Sequence, residues 1–197
     1  MQPRRRRPDA RRDEILRAAA RLLAAGDRGG VSMEALAEAA GAAKGTVYRY
    51  FPSRAALVAA LREQYAASLA ALARRELREA AARPPAERWA RFAEAMLDSS
   101  LANRSLHHAL FRDEPVTEDR SMEPLRAVVR EFLEGQIREG RLAVPRAEPL
   151  LRVLLDGFHG ALVAVAHAAE AGESEAVERA GFLAAARVMG DALLRRG

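Results

Sequence analysis

Apolar residues return three or four positions apart in nearly every stretch of this chain between its glycines and prolines. Ile15, Ala18, Ala19, Leu22 and Leu23 form one stripe and predict a helix over about 9–25, ended by Gly26, Gly29 and Gly30. Ser32 is placed to cap a short helix over 33–40, with Met33, Leu36, Ala37 and Ala40 on one face, and Gly41 stops it. A third short helix over 43–50 turns Val47 inward, followed by Phe51. Pro52-Ser53 ends it and caps a long helix from Arg54 to about Ala82, whose buried line is Leu57, Leu61, Tyr65, Leu69 and Leu72. Beyond Arg83-Pro84-Pro85, helices are predicted over about 86–103, with Trp89, Phe92, Ala93, Met96 and Leu97 on one face, and over 106–112. Residues 113–121 are polar around Pro115 and read as a loop. Three more helices follow over 122–139, 147–171 and 174–196, parted by Gly140, Pro145 and Gly172. No segment alternates with period two. The expected fold is all-α: an N-terminal three-helix domain with a basic arm over 1–53, then a six-helix body over 54–197.

Composition agrees, since Ala, Leu, Arg and Glu dominate and aromatic residues are 5%. With no cysteine, disulfides, zinc–thiolate sites and a thiol nucleophile are excluded. The basic stretch 1–8 is followed by no apolar run, so it does not read as a signal peptide. The least polar stretch, 157–169, is 13 residues, short of the roughly 18 that a membrane span requires. A cytoplasmic, nucleoid-associated protein is expected. Charge then separates the two parts. Residues 1–62 hold 13 of the 32 Lys+Arg and 6 of the 27 Asp+Glu, a net +7, against −2 for the remainder. That is the distribution of a polyanion-binding module joined to a neutral body.

Two short helices separated by a glycine turn are the geometry of a helix-turn-helix, whose second helix enters the major groove. With Val47 and Phe51 inward, Lys44, Gly45, Thr46, Tyr48 and Arg49 are left outward. Cations suit phosphates or guanine edges, hydroxyls suit phosphate oxygens, and a glycine lets backbone approach. Lys44 is the chain's one lysine.

The span Ile15–Leu61, with its core VSMEALAEAAGAAKGTVYRYFPSRAAL, resembles the DNA-binding domain of the tetracycline-repressor (TetR) family. The body resembles that family only in architecture, including an LLDGF segment over 154–158. The resemblance implies a ligand-responsive repressor, not an enzyme, that binds a palindromic operator as a homodimer and is released by a small molecule. It implies phosphate contacts by Ser32 and Met33 and base-facing positions at Lys44, Gly45 and Arg49. Thr46, Tyr48 and Tyr50 would touch phosphate and thymine methyls, and Arg54 would clamp a phosphate at the start of the long helix. Glu34 departs from a frequent basic reader and could instead accept from a cytosine amine; Ala43 replaces a frequent serine. Arg4–Arg7, with Arg11 and Arg12 behind them, either enter an adjacent minor groove or form a solvated tail.

The segment 147–171 is apolar nearly all round, so it has to be covered on two sides. One side can face the body's own core and the other a partner, joined by Val177, Ala180, Gly181, Ala184, Val188 and Leu194 of the last helix. These helices read either as dimerisation through the last two helices, which the resemblance implies, with Gly157 and Gly160 allowing close approach, or as core packing within a monomer. For an apolar or aromatic effector the candidate pocket residues are Trp89, Phe92, Met96, Phe111, Phe132 and Phe158, with His107, His108, Arg112, Asp156 and His159 as orienting groups. No cofactor is expected. His107 and His108 are adjacent, and His159 and His167 are eight apart, so no pair has metal-ligand spacing. Gly41–Thr46 lacks the order of a phosphate loop, and no nucleophile motif accompanies Asp156 and His159.

Overall fold

The computed structural model describes residues 8–25, 32–111, 120–142, 144–170 and 174–194, and of residues 8, 9, 166–170, 175, 193 and 194 only the backbone. The described residues contain no strand. They form α1 (Pro8–Ala24), α2 (Met33–Ala39), α3 (Lys44–Tyr50), α4 (Arg54–Glu79), α5 (Pro85–Ala102), α6 (Arg104–Phe111), a 3-10 turn (Arg120–Met122), α7 (Glu123–Arg138), α8 (Ala147–Glu170) and α9 (Glu175–Leu194). Each helix lies where the apolar periodicity predicts it, within two residues at every end but one. α4 stops three residues earlier than read, and α6 begins two residues earlier. The arm Arg4–Arg7, most of the expected loop 113–121, Arg112 and the side chains of His167 and Leu194 lie outside the described residues.

Contacts divide the chain into two compact units, with the boundary inside α4 between Gln64 and Tyr65. The expected division at 53/54 follows the end of the helix-turn-helix. Packing groups the residues differently, keeping the first part of α4 with α1–α3 and adding α6, which lies against α1.

In the N-terminal unit Ile15, Leu16, Ala18, Ala19, Leu36, Val47, Phe51, Leu57 and Leu61 are buried together with Leu110 and Phe111 of α6. Arg62 ties α4 to α6: its Nε donates to the Leu110 carbonyl at 2.8 Å, and its guanidinium stands 5.5 Å from the Phe111 ring centre. In the C-terminal unit α5 packs most extensively on α9, and α7 and α8 complete the bundle. Its buried residues include Trp89, Phe92, Met96, Leu97, Val129, Phe132, Leu133, Leu151, Leu154, Leu162 and Val165. Along α4 the expected stripe holds through Leu69, but Leu72 is half-buried and the line continues through Ala73 and Leu77. A 3.6-residue turn carries a long apolar stripe slowly round the helix.

Glycine marks the closest approach in the C-terminal unit. A side-chain carbon on Gly190 of α9 would lie 3.1 Å from Trp89 Cδ1 and 3.2 Å from the Ala86 carbonyl oxygen. On α7, one on Gly135 would meet only the tip of Arg138, at 3.9 Å. Gly190→Val is therefore expected to destabilise by about 1–3 kcal/mol through overpacking. Gly135→Ala is expected to stabilise by up to about 1 kcal/mol, since only helix propensity changes. Urea denaturation of the two variants beside the parent checks both signs.

Candidate nucleic-acid interface and cavity

The turn between α2 and α3 is built from backbone outward. Ser32 caps α2, its Oγ accepting from the Ala35 N–H at 3.0 Å. At the other end Gly41 has φ +54°, the Gly41 N–H bonds the Glu38 carbonyl at 3.0 Å and the Ala42 N–H bonds the Ala37 carbonyl at 2.8 Å. That pairing of a left-handed glycine with two reversed bonds is the Schellman motif, and an L side chain at 41 would be strained there. Arg11 locks the same turn from α1: its guanidinium donates to the Gly41 carbonyl at 2.7 Å and the Ala40 carbonyl at 3.3 Å, and pairs with Glu14 at 2.6 Å. Arg12 stands 5.5 Å from the Phe51 ring centre. Arg11 and Arg12 thus belong to α1 and to its packing, not to an arm that precedes it.

On α3, Val47 and the following Phe51 are buried. Lys44, Gly45, Tyr48 and Arg49 are exposed, Tyr48 at 41%, while Thr46 and Tyr50 are half-buried. Nothing lies within 4 Å of where a Gly45 side chain would be, so a partner can reach the backbone there. Arg49 stacks 5.4 Å from the Tyr50 ring centre and Lys44 stands 5.9 Å from that of Tyr48. Ser32 and Arg54 are exposed at the first turns of α2 and α4, and Ser53 caps α4 by accepting from the Ala56 N–H at 3.1 Å. Met33, which the resemblance sets at a phosphate, is the first residue of α2. Its side chain is buried with Leu36 and Ala37, because position 33 falls on the inward stripe of α2.

Glu34 and Lys44 touch each other across the turn, Nζ against Oε1. The hydrogen bond with Lys44 holds the Glu34 carboxyl below its usual range, and the same bond raises the Lys44 ammonium. Sequence reading singles out both residues but not their pairing, which arises only when the turn folds back.

A separate feature lies within the C-terminal unit: a cavity of about 370 Å³. Its wall includes Trp89, Phe92 and Met96 of α5, Leu154, Phe158 and Val165 of α8, and Phe182, Ala186 and Met189 of α9. Trp89 and Phe92 stack with centres 5.2 Å apart, and Phe158 meets Phe182 edge-on at 5.5 Å. Among the described residues Glu178 is the one ionisable group lining it. Of the expected pocket residues, Trp89, Phe92, Met96 and Phe158 come together here. Phe132 does not line the cavity; it is buried under Arg88, whose guanidinium stands 5.1 Å above its ring centre. His107 and Phe111, 5.2 Å apart, belong with α6 to the N-terminal unit, and so does His108. Asp156 is exposed and His159 half-buried, and neither lines the cavity. Burial holds the His159 imidazole below its ordinary pKa, with Asp156 opposing. Phe182 and Met189 were absent from the expectation although 182, 185, 186 and 189 repeat the helical stripe.

Residues 15–61 match the family model of bacterial regulatory proteins, tetR family. The chain carries a tetR-family domain. Its whole fold is similar to that of solved structures. One is a protein of unknown function from Rhodococcus sp. RHA1 (22% identity, 99% of this chain and 100% of that one, TM-score 0.78). Another is a putative tetR-family transcription regulator from Shewanella sp. PV-4 (20%, 94% and 99%, 0.69). A third is RolR in complex with resorcinol (22%, 95% and 96%, 0.61). No curated protein matches the chain. The turn that Arg11 locks is thus the one inside the tetR-family helix-turn-helix. Arg11→Met is expected to lower stability by about 1–2 kcal/mol, through the loss of charged hydrogen bonds to two carbonyls that remain partly hydrated. The midpoint of urea unfolding reads that loss.

Proposed function

We propose that this chain is a ligand-responsive transcriptional repressor that binds a palindromic DNA operator as a homodimer and is released by a small-molecule effector. The observation that carries this reading is the division of α3, a seven-residue helix with Val47 buried and Lys44, Gly45, Tyr48 and Arg49 facing out. Such a helix offers cations and a hydroxyl to the major groove, and Ser32 and Arg54 offer phosphate contacts beside it. The excess charge of residues 1–62 supplies the long-range attraction and makes binding depend steeply on salt, log K falling by about 0.9 per phosphate neutralised.

Dimerisation through α8 and α9 is supported by what those helices leave uncovered. Val153, Val177 and Val188 are 64%, 66% and 68% exposed, along with Gly157, Gly160, Ala180, Gly181 and Ala184. A partner laid on this apolar, small-residue surface would give a two-fold dimer, and a palindromic operator asks that its two copies of α3 stand about 34 Å apart, one turn of duplex. Gly157, Ala164, Gly181 and Ala185 both line the cavity and lie exposed, so the same partner would close the cavity's open side. The cavity suits an apolar or aromatic effector of small size, and the resorcinol held by RolR is of that class. The described lining is mostly apolar, with Glu178 as the ionisable group among it, which supports assigning the cavity to binding. An effector that prefers another arrangement of the dimer would weaken DNA binding by as much as its differential affinity allows. A DNA-binding protein of this kind works in the cytoplasm, at the nucleoid.

Replacing Lys44 and Tyr48 together by alanine is expected to abolish retention of an operator duplex in a gel-shift while the circular-dichroism melt is unchanged. Equal retention by the doubly substituted protein would contradict the reading. Trp89, the chain's one tryptophan, lines the cavity. Titration with small phenols is therefore expected to quench its fluorescence saturably, and Phe158→Ala should weaken that response at least tenfold.

A further inference from the structure

A carboxylate on a surface meant for a polyanion is unfavourable unless it has something to bind there. Glu34 stands in the first turn of α2, exposed, on the same surface as Lys44 and Tyr48. Its contact with Lys44 leaves a donor and an acceptor side by side, both side chains more than half exposed (57% for Lys44 and 61% for Glu34). The edge that complements this arrangement in the major groove is a G·C pair. There the guanine O6 and N7 acceptors stand next to the cytosine N4 amine donor. O6 and N4 are themselves hydrogen-bonded at about 2.9 Å, so an ammonium and a carboxylate already in contact have matching spacing.

We propose that Glu34 and Lys44 act as one reading unit for a single G·C pair in each half-site. Lys44 Nζ donates to guanine O6 and N7, Glu34 Oε1 accepts from the cytosine N4 amine, and the ion pair between them is kept. The inference rests on the DNA-binding reading above and deepens it. It also gives an order of preference. A C·G pair in the same frame sets a donor against the ammonium and an acceptor against the carboxylate, so every contact fails; an A·T pair does the same at the two central positions and leaves Lys44 only the adenine N7. A T·A pair keeps the two central contacts but replaces N7 by a methyl group, so Lys44 loses one acceptor. The order is G·C first, T·A second, and A·T and C·G last, and the orientation of the unit decides which strand carries the guanine. Away from the operator the carboxylate repels phosphates and occupies Lys44, which keeps non-specific binding weak.

The test is selection of duplexes from a randomised pool by the full-length protein and by Glu34→Ala, followed by competition titrations. With the parent, one position per half-site should hold G·C, and its change to A·T should cost about five- to hundredfold in affinity. Glu34→Ala should level the preference at that position and leave the others intact. It should also steepen the salt dependence on random duplex by about 0.9 in log–log slope, because Lys44 becomes free for a phosphate. Loss of α2 stability would instead weaken every position alike, and a melting curve of each variant separates that case. The proposal is overturned if Glu34→Ala keeps the G·C preference, or loses all positions uniformly with its fold intact. Failure of the parent itself to enrich any sequence would strike the DNA-binding reading first.

Discussion

Burial of Val47 and Phe51 is the contact on which the recognition surface depends. A helix of seven residues cannot hold itself together in water, because nucleation costs more than so few hydrogen bonds return. α3 exists because two apolar residues bury one side of it, with α2 packed against it, and because its entry is fixed by the Gly41 turn. Everything displayed outward, from Lys44 to Arg49, inherits its direction from that anchor. Arg11 adds a second restraint by occupying carbonyls at the end of α2 that would otherwise turn to water.

The C-terminal unit follows a different rule. Its helices carry more apolar surface than one core can cover: Trp89, Leu97, Leu151 and Val165 are buried, while Val153, Val177 and Val188 stand in the open. Part of the excess surrounds a cavity edged by aromatic rings, and part lies on two helices paved with glycine, alanine and valine. Those exposed small and apolar residues are what the proposed dimer would cover. The unit is thus suited to joining and enclosing, and the basic unit to reaching a polyanion.

Much of this was legible in the sequence. Helix positions followed from the spacing of Ile15, Leu36, Trp89, Phe92 and their neighbours, because apolar periodicity reports one buried face directly. The caps at Ser32 and Ser53 and the stop at Gly41 are local chemistry and were equally readable. What the pattern could not give is partnership across the fold. An apolar stripe at Phe111 or Phe132 reads the same as one at Phe92, yet only Phe92 of the three lines the cavity. Met33 matched a surface position by resemblance but shares the inward stripe with Leu36. The pairing of Glu34 with Lys44, and the hold of Arg11 on the turn, join residues distant in sequence, and no spacing rule encodes them.

Methylation protection of guanine N7, on a duplex retained by the protein from a randomised pool, tests the account most directly, since it reports major-groove occupancy base by base. Two symmetric clusters of protected guanines, centred one helical turn apart, are the expected pattern. A bound duplex whose guanines stay fully reactive, or one protected in a single asymmetric patch, would contradict it.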